Sequence, residues 1–159
     1  MSKILVAYFS ASGVTEKAAE KLAAVAGADL FEIKPVSLYT DADLNWMDKK
    51  SRSTIEMNDA SARPQIAEKC NNMGDYETVF VGFPVWWYVE PRIIDTFLEA
   101  HDFSGKTIVP FATSGGSGLG KTADNFRKIL GKNVTVKEGK VLNRASEADL
   151  KNWLFELGL

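Results

Sequence analysis

Apolar residues along this chain form short continuous runs, which alternate with segments in which apolar and polar positions repeat with a helical period. The strongest runs are residues 4–9, 78–83 and 107–112. A continuous apolar run of this length predicts a strand that is buried on both faces of a sheet. Weaker runs at 29–33 and at 133–136, or on to 142, predict two further strands. The run at 29–33 is short, comparatively polar and closed by Pro35, which favours an edge strand.

Four segments carry apolar residues three or four positions apart, which is typical of helices that bury one face. Their predicted buried faces are Val14, Ala18, Leu22 and Val25; Ile93, Ile94, Phe97 and Leu98; Leu119, Ala123, Phe126 and Leu130; and Leu150, Trp153, Leu154 and Leu157. Gly27 is expected to end the first of these helices and Pro91 to begin the second. Ser146 with Asp149 three residues later predicts a capping box at the start of the last.

Strands and helices alternating in this way predict one α/β domain over residues 1–159. We expect a parallel sheet with helices on both faces and right-handed crossovers. The loops that follow the strands of such a sheet all lie at its carboxyl edge, where open α/β sheets bind ligands. Unusual residues follow the first, third and fourth strands, and one ligand that contacts all three loops would explain them.

Residues 36–63 break the alternation, because they are rich in charge and have no sustained period. A loop of this length in a small domain is usually functional or partly disordered, and aromatic residues such as Trp46 indicate that it packs back onto the body. Its acidic start at Asp41 is similar to a calcium loop. Calcium is excluded because Trp46 and Arg52 stand where that motif needs Gly and Glu. A short helix is predicted over 64–71.

Composition agrees with one globular domain. The chain has 159 residues, of which 45% are hydrophobic and 25% charged. A net charge of −2 gives no reason to expect nucleic acid or an anionic membrane as a partner. Cys70 and His101 are the single cysteine and histidine, so an internal disulfide and a metal site built from several Cys or His residues are excluded.

The loop after the first strand, residues 10–15, has the chemistry of a phosphate site. The helix that begins at Val14 directs unpaired backbone N–H groups and the positive end of its dipole into this turn. Ser10, Ser12 and Thr15 add hydroxyl groups, and Gly13 lets the backbone approach a ligand closely. The segment therefore predicts a phosphate site without Lys or Arg. A capped helix start that binds no ligand is the alternative.

The loop after the third strand is rich in bulky side chains, which lie between Pro84 and Tyr88. We expect one of the adjacent residues Trp86 and Trp87 to pack inward and the other to offer a flat face to a flat ligand. Packing of both into the core is the alternative. In the fourth strand, Pro110 cannot donate to a sheet hydrogen bond, which predicts a bulge or a bend there.

Residues 115–122 match the nucleotide-binding pattern G-x-x-x-x-G-K-[ST] between a strand and a helix. This match makes a P-loop nucleotide hydrolase the remote alternative. Against it, no apolar strand ending in Asp follows to hold magnesium. The match would also leave the hydroxyl-rich loop at 10–15 and the two tryptophans without a role.

Three segments together resemble the flavin-binding loops of flavodoxins. Residues 10–15 are similar to the phosphate loop, and 83–87 and 111–117 are similar to the second and third loops. The resemblance covers nearly the whole chain, with the loops in order and in register. It implies a flavodoxin-like three-layer α/β sandwich, with a five-stranded parallel sheet in the order 2-1-3-4-5, and bound FMN.

The resemblance also implies a role for each loop. The FMN phosphate would be held by Ser10, Ser12, Gly13, Val14 and Thr15. The isoalloxazine ring would be flanked by Pro84, Val85, Trp86, Trp87 and Tyr88. The pyrimidine edge would be bonded by backbone groups of Thr113, Ser114, Gly115, Gly116 and Ser117. No residue is expected to be a catalytic acid or base or a metal ligand, although Tyr88 and Glu90 are near enough to bias the chemistry.

The implied function is electron transfer in the cytoplasm, with redox partner proteins or a small quinone-like acceptor. The third loop, however, carries Gly and Ser where flavodoxins commonly place an aromatic residue. A charge of −2 is also mild for a carrier that docks basic partners. An FMN-dependent NAD(P)H:quinone-type reductase that uses the same site is therefore the alternative.

Overall fold

The computed structural model describes residues 3–114 and 118–159, which form one α/β unit. Its strands are β1 (Ile4–Tyr8), β2 (Asp29–Glu32), β3 (Thr78–Pro84), β4 (Thr107–Thr113), β5 (Thr135–Val136) and β6 (Lys140–Val141). Its α-helices are α1 (Val14–Ala26), α2 (Arg52–Met57), α3 (Arg92–Glu99), α4 (Thr122–Leu130) and α5 (Glu147–Glu156). In the described ranges, every helix is too short or too polar to cross a lipid bilayer.

The strands pair in parallel in the order β2-β1-β3-β4-β5, which confirms the predicted 2-1-3-4-5 sheet. β2 lies at an edge, as its polar sequence predicts. The fifth position holds two short pieces, because β6 also pairs with β4 beyond the end of β5.

The break between β5 and β6 explains Pro110 in the middle of β4. The carbonyls of Ile108 and Ala112 accept backbone hydrogen bonds from the fifth position, at 3.0 and 2.7 Å. Since alternate residues of a strand face the same neighbour, Pro110 faces the fifth position as well. After Lys137, residues 138 and 139 leave the ladder, and a Cβ on Gly139 would lie 2.2 Å from the Pro110 carbonyl oxygen. Pro110 therefore lacks its N–H at a point where the neighbouring strand is interrupted and offers no carbonyl to accept it.

Two hydrophobic cores lie on opposite faces of the sheet. Along β1, Leu5 and Ala7 enter one core and Val6 and Tyr8 enter the other, as the two-residue period of a strand requires. Side chains from α3 and α4 complete the first core, and side chains from α1 and α5 complete the second. This three-layer arrangement leaves the carboxyl ends of the strands uncovered by helices.

The segment between β2 and β3 differs from its prediction in two places. Residues 36–63 are not irregular throughout, because α2 begins there after Ser51, whose hydroxyl accepts the Thr54 N–H. The helix predicted over 64–71 is wrong. Ile66 instead pairs with Pro35 in an isolated antiparallel bridge, and the next helical turn is a 3-10 turn at Met73–Asp75. Backbone pairing of this segment with the chain after β2 replaces the local helical bonds.

Helix ends follow the sequence signals closely. Gly27 ends α1 with a φ of 65°, and Ser146 and Asp149 form the predicted capping box at the start of α5. Pro91 precedes α3 as its N-cap rather than occupying its first position. The capping signals therefore place these boundaries to within one residue.

Candidate functional site

Three loops meet at the carboxyl edge of the sheet, after β1, β3 and β4. The Phe9 N–H donates to the Gly82 carbonyl at 2.9 Å, and the Val85 N–H donates to the Thr113 carbonyl at 2.9 Å. These bonds continue the pairing of neighbouring strands into the loops. The sheet itself therefore brings the three predicted segments together.

The first loop ends in the N-terminus of α1. Gly13 precedes the helix with a φ of 91°, a backbone conformation that favours glycine, and no side chain in the described structure caps the helix. The Gly13 N–H donates to Ser10 Oγ at 3.0 Å, which closes the loop. Ser12 is exposed, and the first N–H groups of a helix have no hydrogen-bond partner within the helix. An anion would complete this helix end.

Thr15 joins the first loop to the third. Its side chain is buried, and its Oγ1 lies 2.7 Å from Thr113 Oγ1, so the two hydroxyls share a hydrogen bond. The sequence predicts that both threonines contact the ligand. In the structure, the hydrogen bond between the two threonines also fixes the first loop relative to the third.

The second loop is a two-residue hairpin. Trp86 and Val89 exchange backbone hydrogen bonds of 3.0 and 3.2 Å. Between them, Trp87 and Tyr88 have φ values of 49° and 68°, as in a type I′ turn. A left-handed backbone costs a non-glycine residue about 1–3 kcal/mol, and such strain clusters at functional sites.

The hairpin separates the two tryptophans. Trp86 points inward, where its ring makes edge contacts with Phe9 at 5.7 Å and Tyr39 at 5.4 Å between ring centroids. Trp87 remains 40% exposed and Tyr88 69% exposed. Of the adjacent tryptophans, Trp87 thus presents the accessible flat face.

Tyr39 ties the long 36–63 segment to the site. Its hydroxyl donates to Glu56 Oε1 at 2.5 Å, and the Arg52 guanidinium lies 3.8 Å from its ring centroid. Burial, followed by the hydrogen bond to Glu56, raises the pKa of Tyr39 well above its ordinary value, so its ring stays neutral. The segment therefore supports Trp86 from behind.

The third loop is held at its start by Asn143, which follows β6. The Asn143 amide oxygen accepts the Ser114 N–H at 2.9 Å, and its amide nitrogen donates to the Ser114 carbonyl at 2.5 Å. The predicted ligands Gly115, Gly116 and Ser117 lie outside the described residues. Further along, Gly120 packs so closely under the hairpin that a Cβ there would lie 2.2 Å from the Tyr88 carbonyl oxygen.

Glu90 is fully buried directly behind the hairpin. Asn125 Nδ2 of α4 donates to both of its carboxyl oxygens, at 3.0 and 3.4 Å. Burial, with a smaller contribution from the neighbouring Asp95, raises the pKa of Glu90 to about 8. Because Glu90 is 0% exposed, its carboxyl does not reach the solvent-facing side of the site.

The P-loop reading of residues 115–122 finds no support at its magnesium position. The Thr122 side chain is fully buried, and its hydroxyl donates to the Leu119 carbonyl at 2.7 Å. In a P-loop this hydroxyl binds the metal ion. Here it caps the preceding turn.

His101 lies just after α3, and its side-chain partners are outside the three loops. Its Nε2 accepts the Cys70 N–H and its Nδ1 lies 2.9 Å from the Phe97 carbonyl, which ties the end of α3 to the segment before β3. Burial lowers the pKa of His101, so the ring is neutral with its proton on Nδ1.

Sequence reasoning missed Asn143 and Asn125, which hold the third loop and Glu90. Asn143 could have been found, because it follows the fifth strand and therefore lies at the same sheet edge. Asn125 carries no such signal, since its partner is 35 residues away in sequence.

Together these features define an α/β domain of the doubly wound class, in which a helix N-terminus without a side-chain cap and an exposed tryptophan lie at one sheet edge. A flavodoxin family model matches residues 3–157, and the chain belongs to the flavodoxin family. No curated protein matches it in the sequence comparison.

Solved structures agree with this assignment. A protein from Bacteroides eggerthii, provisionally described as a flavoprotein, is 52% identical with a TM-score of 0.96, covering 100% of this chain and 99% of its own. A second one, from Bacteroides uniformis, is 43% identical with a TM-score of 0.92, covering 97% and 98% of the two chains. A flavoprotein from Lactobacillus acidophilus, solved in complex with FMN, is 23% identical with a TM-score of 0.75 over 97% and 99%. At this identity, the last comparison bears on the fold alone.

Proposed function

We propose that this protein binds FMN at the three-loop site and transfers electrons. The observation that carries the proposal is the meeting, at one sheet edge, of an uncapped helix N-terminus and an exposed tryptophan. An anion-binding turn fits a phosphate, and a flat aromatic face fits an isoalloxazine ring. The FMN bound to the Lactobacillus acidophilus flavoprotein of the same fold supports this choice of cofactor.

The described residues fit FMN in specific ways. The first N–H groups of α1 and the Ser12 hydroxyl would hold the phosphate, and Trp87 would lie against the ring. The third loop, which begins at Thr113 and Ser114, would border the pyrimidine edge, with the Ser114 backbone held in place by Asn143. When bound, FMN supplies one- and two-electron redox chemistry, and the protein tunes its potential.

Charge at the site favours a low potential. The phosphate loop contains no Lys or Arg, so no cation within the loop itself offsets the charge of a bound phosphate. Adding electrons to the ring then adds negative charge close to an existing one, which disfavours the fully reduced anion. Trp87 would also disfavour the fully reduced anion, because the electron-rich face of a stacked aromatic ring repels a negatively charged flavin ring.

Titration of the apoprotein tests cofactor binding. FMN should bind with 1:1 stoichiometry and give the visible spectrum of a bound flavin. Riboflavin lacks the phosphate and should bind more weakly by about 3 kcal/mol or more, since each donor to a charged group contributes about 1.5–3 kcal/mol. Protein that takes up no FMN overturns the proposal, and equal affinity for riboflavin places the phosphate elsewhere.

A reductase that passes hydride from NAD(P)H to a quinone is the second candidate. A cleft of about 240 Å³ next to the phosphate loop favours it, because Val14 and Thr113 line this cleft together with the basic residues Lys17, Lys21 and Arg144. Such a lining suits an anionic substrate. Oxidation of NAD(P)H with a quinone, without any added reductase, would establish this activity. Reduction only through a partner reductase would establish electron carriage.

The partners and location follow from the same proposal. We expect redox partner proteins or a small quinone-like acceptor, in the cytoplasm, and no role for nucleic acid or a membrane. Pull-down of a reductase from the source cell extract by the FMN-loaded protein would identify the partner directly.

A further inference from the structure

Two carboxyl groups are buried together directly behind the tryptophan hairpin. Glu90 is 0% exposed and Asp95, in the first turn of α3, is 3% exposed. The charge of Asp95 raises the pKa of Glu90, and a hydrogen bond from the Glu90 side chain lowers the pKa of Asp95, so the two groups interact. Burying two negative charges side by side is costly, which favours a state in which one carboxyl keeps a proton.

The contacts of Glu90 join two elements that border the proposed flavin site. Glu90 comes directly after Val89, the last residue of the hairpin. Its two carboxyl oxygens each accept a hydrogen bond from the Asn125 side chain of α4. The same hairpin rests on Gly120, just before α4. The position of the exposed Trp87 relative to the third loop therefore depends on the Glu90–Asn125 contact.

Positive charge near the pair lies on the Asp95 side. Nη1 of Arg63 and Nη1 of Arg92 each lie 3.9 Å from Asp95 Oδ2, and Arg63 is shared with the more exposed Glu99. Glu90 has the neutral Asn125 amide as its hydrogen-bond partner. The arginines therefore favour Asp95 as the charged member and Glu90 as the protonated one. Asp95 Oδ1 is buried without a hydrogen-bond partner in the described structure, so this oxygen is available to accept the proton of a neutral Glu90.

We propose that Glu90 is a positioning residue that, as a neutral acid, lets the Trp87 hairpin pack between Asp95 of α3 and Asn125 of α4, and that its ionisation weakens flavin binding. Ionisation places a second buried charge beside Asp95 with no cation bonded to it. Repulsion from Asp95 then moves the hairpin away from α3. The added charge acts most strongly on the reduced flavin, which is itself more negative. This inference rests on the proposed function.

The pKa of Glu90 places the transition in an accessible range. Burial raises it to about 8, whereas burial raises the pKa of Asp95 to about 6 against the opposing effect of the two arginines. Between about pH 7 and pH 9 the phosphate of FMN is already fully ionised, because its second pKa is about 6. A change of FMN affinity over this interval therefore reports on the protein.

The test measures the dissociation constant for FMN at about pH 7 and pH 9 with three proteins: the unchanged chain, Glu90→Gln and Glu156→Gln. Gln keeps the shape and the acceptor for Asn125 but cannot ionise. Glu156 is an exposed residue at the end of α5, so its substitution is the matched control. The unchanged chain and Glu156→Gln should bind FMN about threefold or more weakly at the higher pH, whereas Glu90→Gln should show no change. Equal pH dependence in all three proteins, or none in the unchanged chain, overturns the inference.

A second measurement separates this inference from the proposed function and needs no variant to fold. The carboxyl carbon of Glu90, labelled with ¹³C and assigned through its own backbone in the unchanged apoprotein, should titrate near pH 8 rather than near the ordinary value of 4.5. Titration near the ordinary value overturns the inference even if FMN binds. Absence of FMN binding at every pH, with Glu90 titrating near pH 8, overturns the proposed function instead.

Discussion

At the scale of single residues, Trp86 is packed inward and Trp87 is exposed, so substitution of the first should affect stability and substitution of the second should affect FMN binding. Trp86 contacts Phe9 and Tyr39, so Trp86→Ala should lower the free energy of unfolding of the apoprotein by about 2–4 kcal/mol. Trp87 is 40% exposed, so Trp87→Ala should change that free energy by about 0.5 kcal/mol or less. It should instead weaken FMN binding by about 1–1.5 kcal/mol through the lost aromatic contact. Urea unfolding and FMN titration measure the two effects.

Trp87→Phe is the matched control, because it keeps an aromatic face and should retain most of the FMN affinity. Loss of FMN affinity in Trp86→Ala but not in Trp87→Ala, with both proteins equally stable, would assign the stacking ring to Trp86 instead.

The hydroxyls of the first loop also divide by burial. Ser12 is exposed, so Ser12→Ala should weaken FMN binding by about 1.5–3 kcal/mol and leave the apoprotein as stable as before. Thr15 is bonded to Thr113 inside the protein, so Thr15→Val should lower the free energy of unfolding by about 1–2 kcal/mol.

The Thr15→Val, Thr113→Val pair provides the control for this hydrogen bond. Removing both hydroxyls leaves neither one unpaired, so the double variant should lose less stability than the sum of the two single variants. Additive losses would mean that the two hydroxyls do not interact.

At the scale of elements, His101 links the end of α3 to the chain at Cys70 and should make this contact sensitive to acid. Its Nε2 can accept the Cys70 N–H only while the ring is neutral. Burial lowers the pKa of His101 in the folded state, so the unfolded state takes up this proton more readily. The contribution is therefore fully present above about pH 6.5 and declines as the pH falls.

Urea unfolding at about pH 7.5 and pH 5 measures this decline. His101→Gln should lose less stability between these two pH values than the unchanged chain, because Gln does not ionise. An equal loss in both proteins would assign the acid sensitivity to carboxyl groups elsewhere.

The sequence correctly predicts those elements whose formation depends only on residues that are close together in the chain. The apolar runs of β1, β3 and β4 and the cap at Ser146 depend on neighbouring residues alone, and the structure confirms them. The helix expected over 64–71 fails because Ile66 pairs with distant Pro35, a bond that no local pattern shows. Likewise, Pro110 is explained only by the break in the neighbouring strand. The sequence also could not predict which of the two tryptophans packs inward, because they are adjacent and identical, and only the hairpin geometry distinguishes them.

At the scale of the whole molecule, the sheet separates stability from chemistry. Both hydrophobic cores lie on its faces, and the three loops lie at its carboxyl edge. Loop residues that are exposed can therefore change with little effect on folding. Glu90, in contrast, is buried and lies directly after the hairpin, so a change there affects both stability and the site.

Glu90 should therefore also make the stability of the apoprotein depend on pH, independently of any flavin. Its pKa is raised from 4.5 to about 8, so the folded state holds a proton that the unfolded state has lost over this interval. The contribution of the neutral acid is fully present below about pH 4.5 and is lost as the pH rises through 8. At about pH 9, Glu90→Gln should be more stable than the unchanged chain by about 2–4 kcal/mol, and the difference should shrink toward pH 5. Urea unfolding across this range, with Glu156→Gln expected to follow the unchanged chain, measures it. A constant difference between the two curves would show that Glu90 does not ionise in the folded protein.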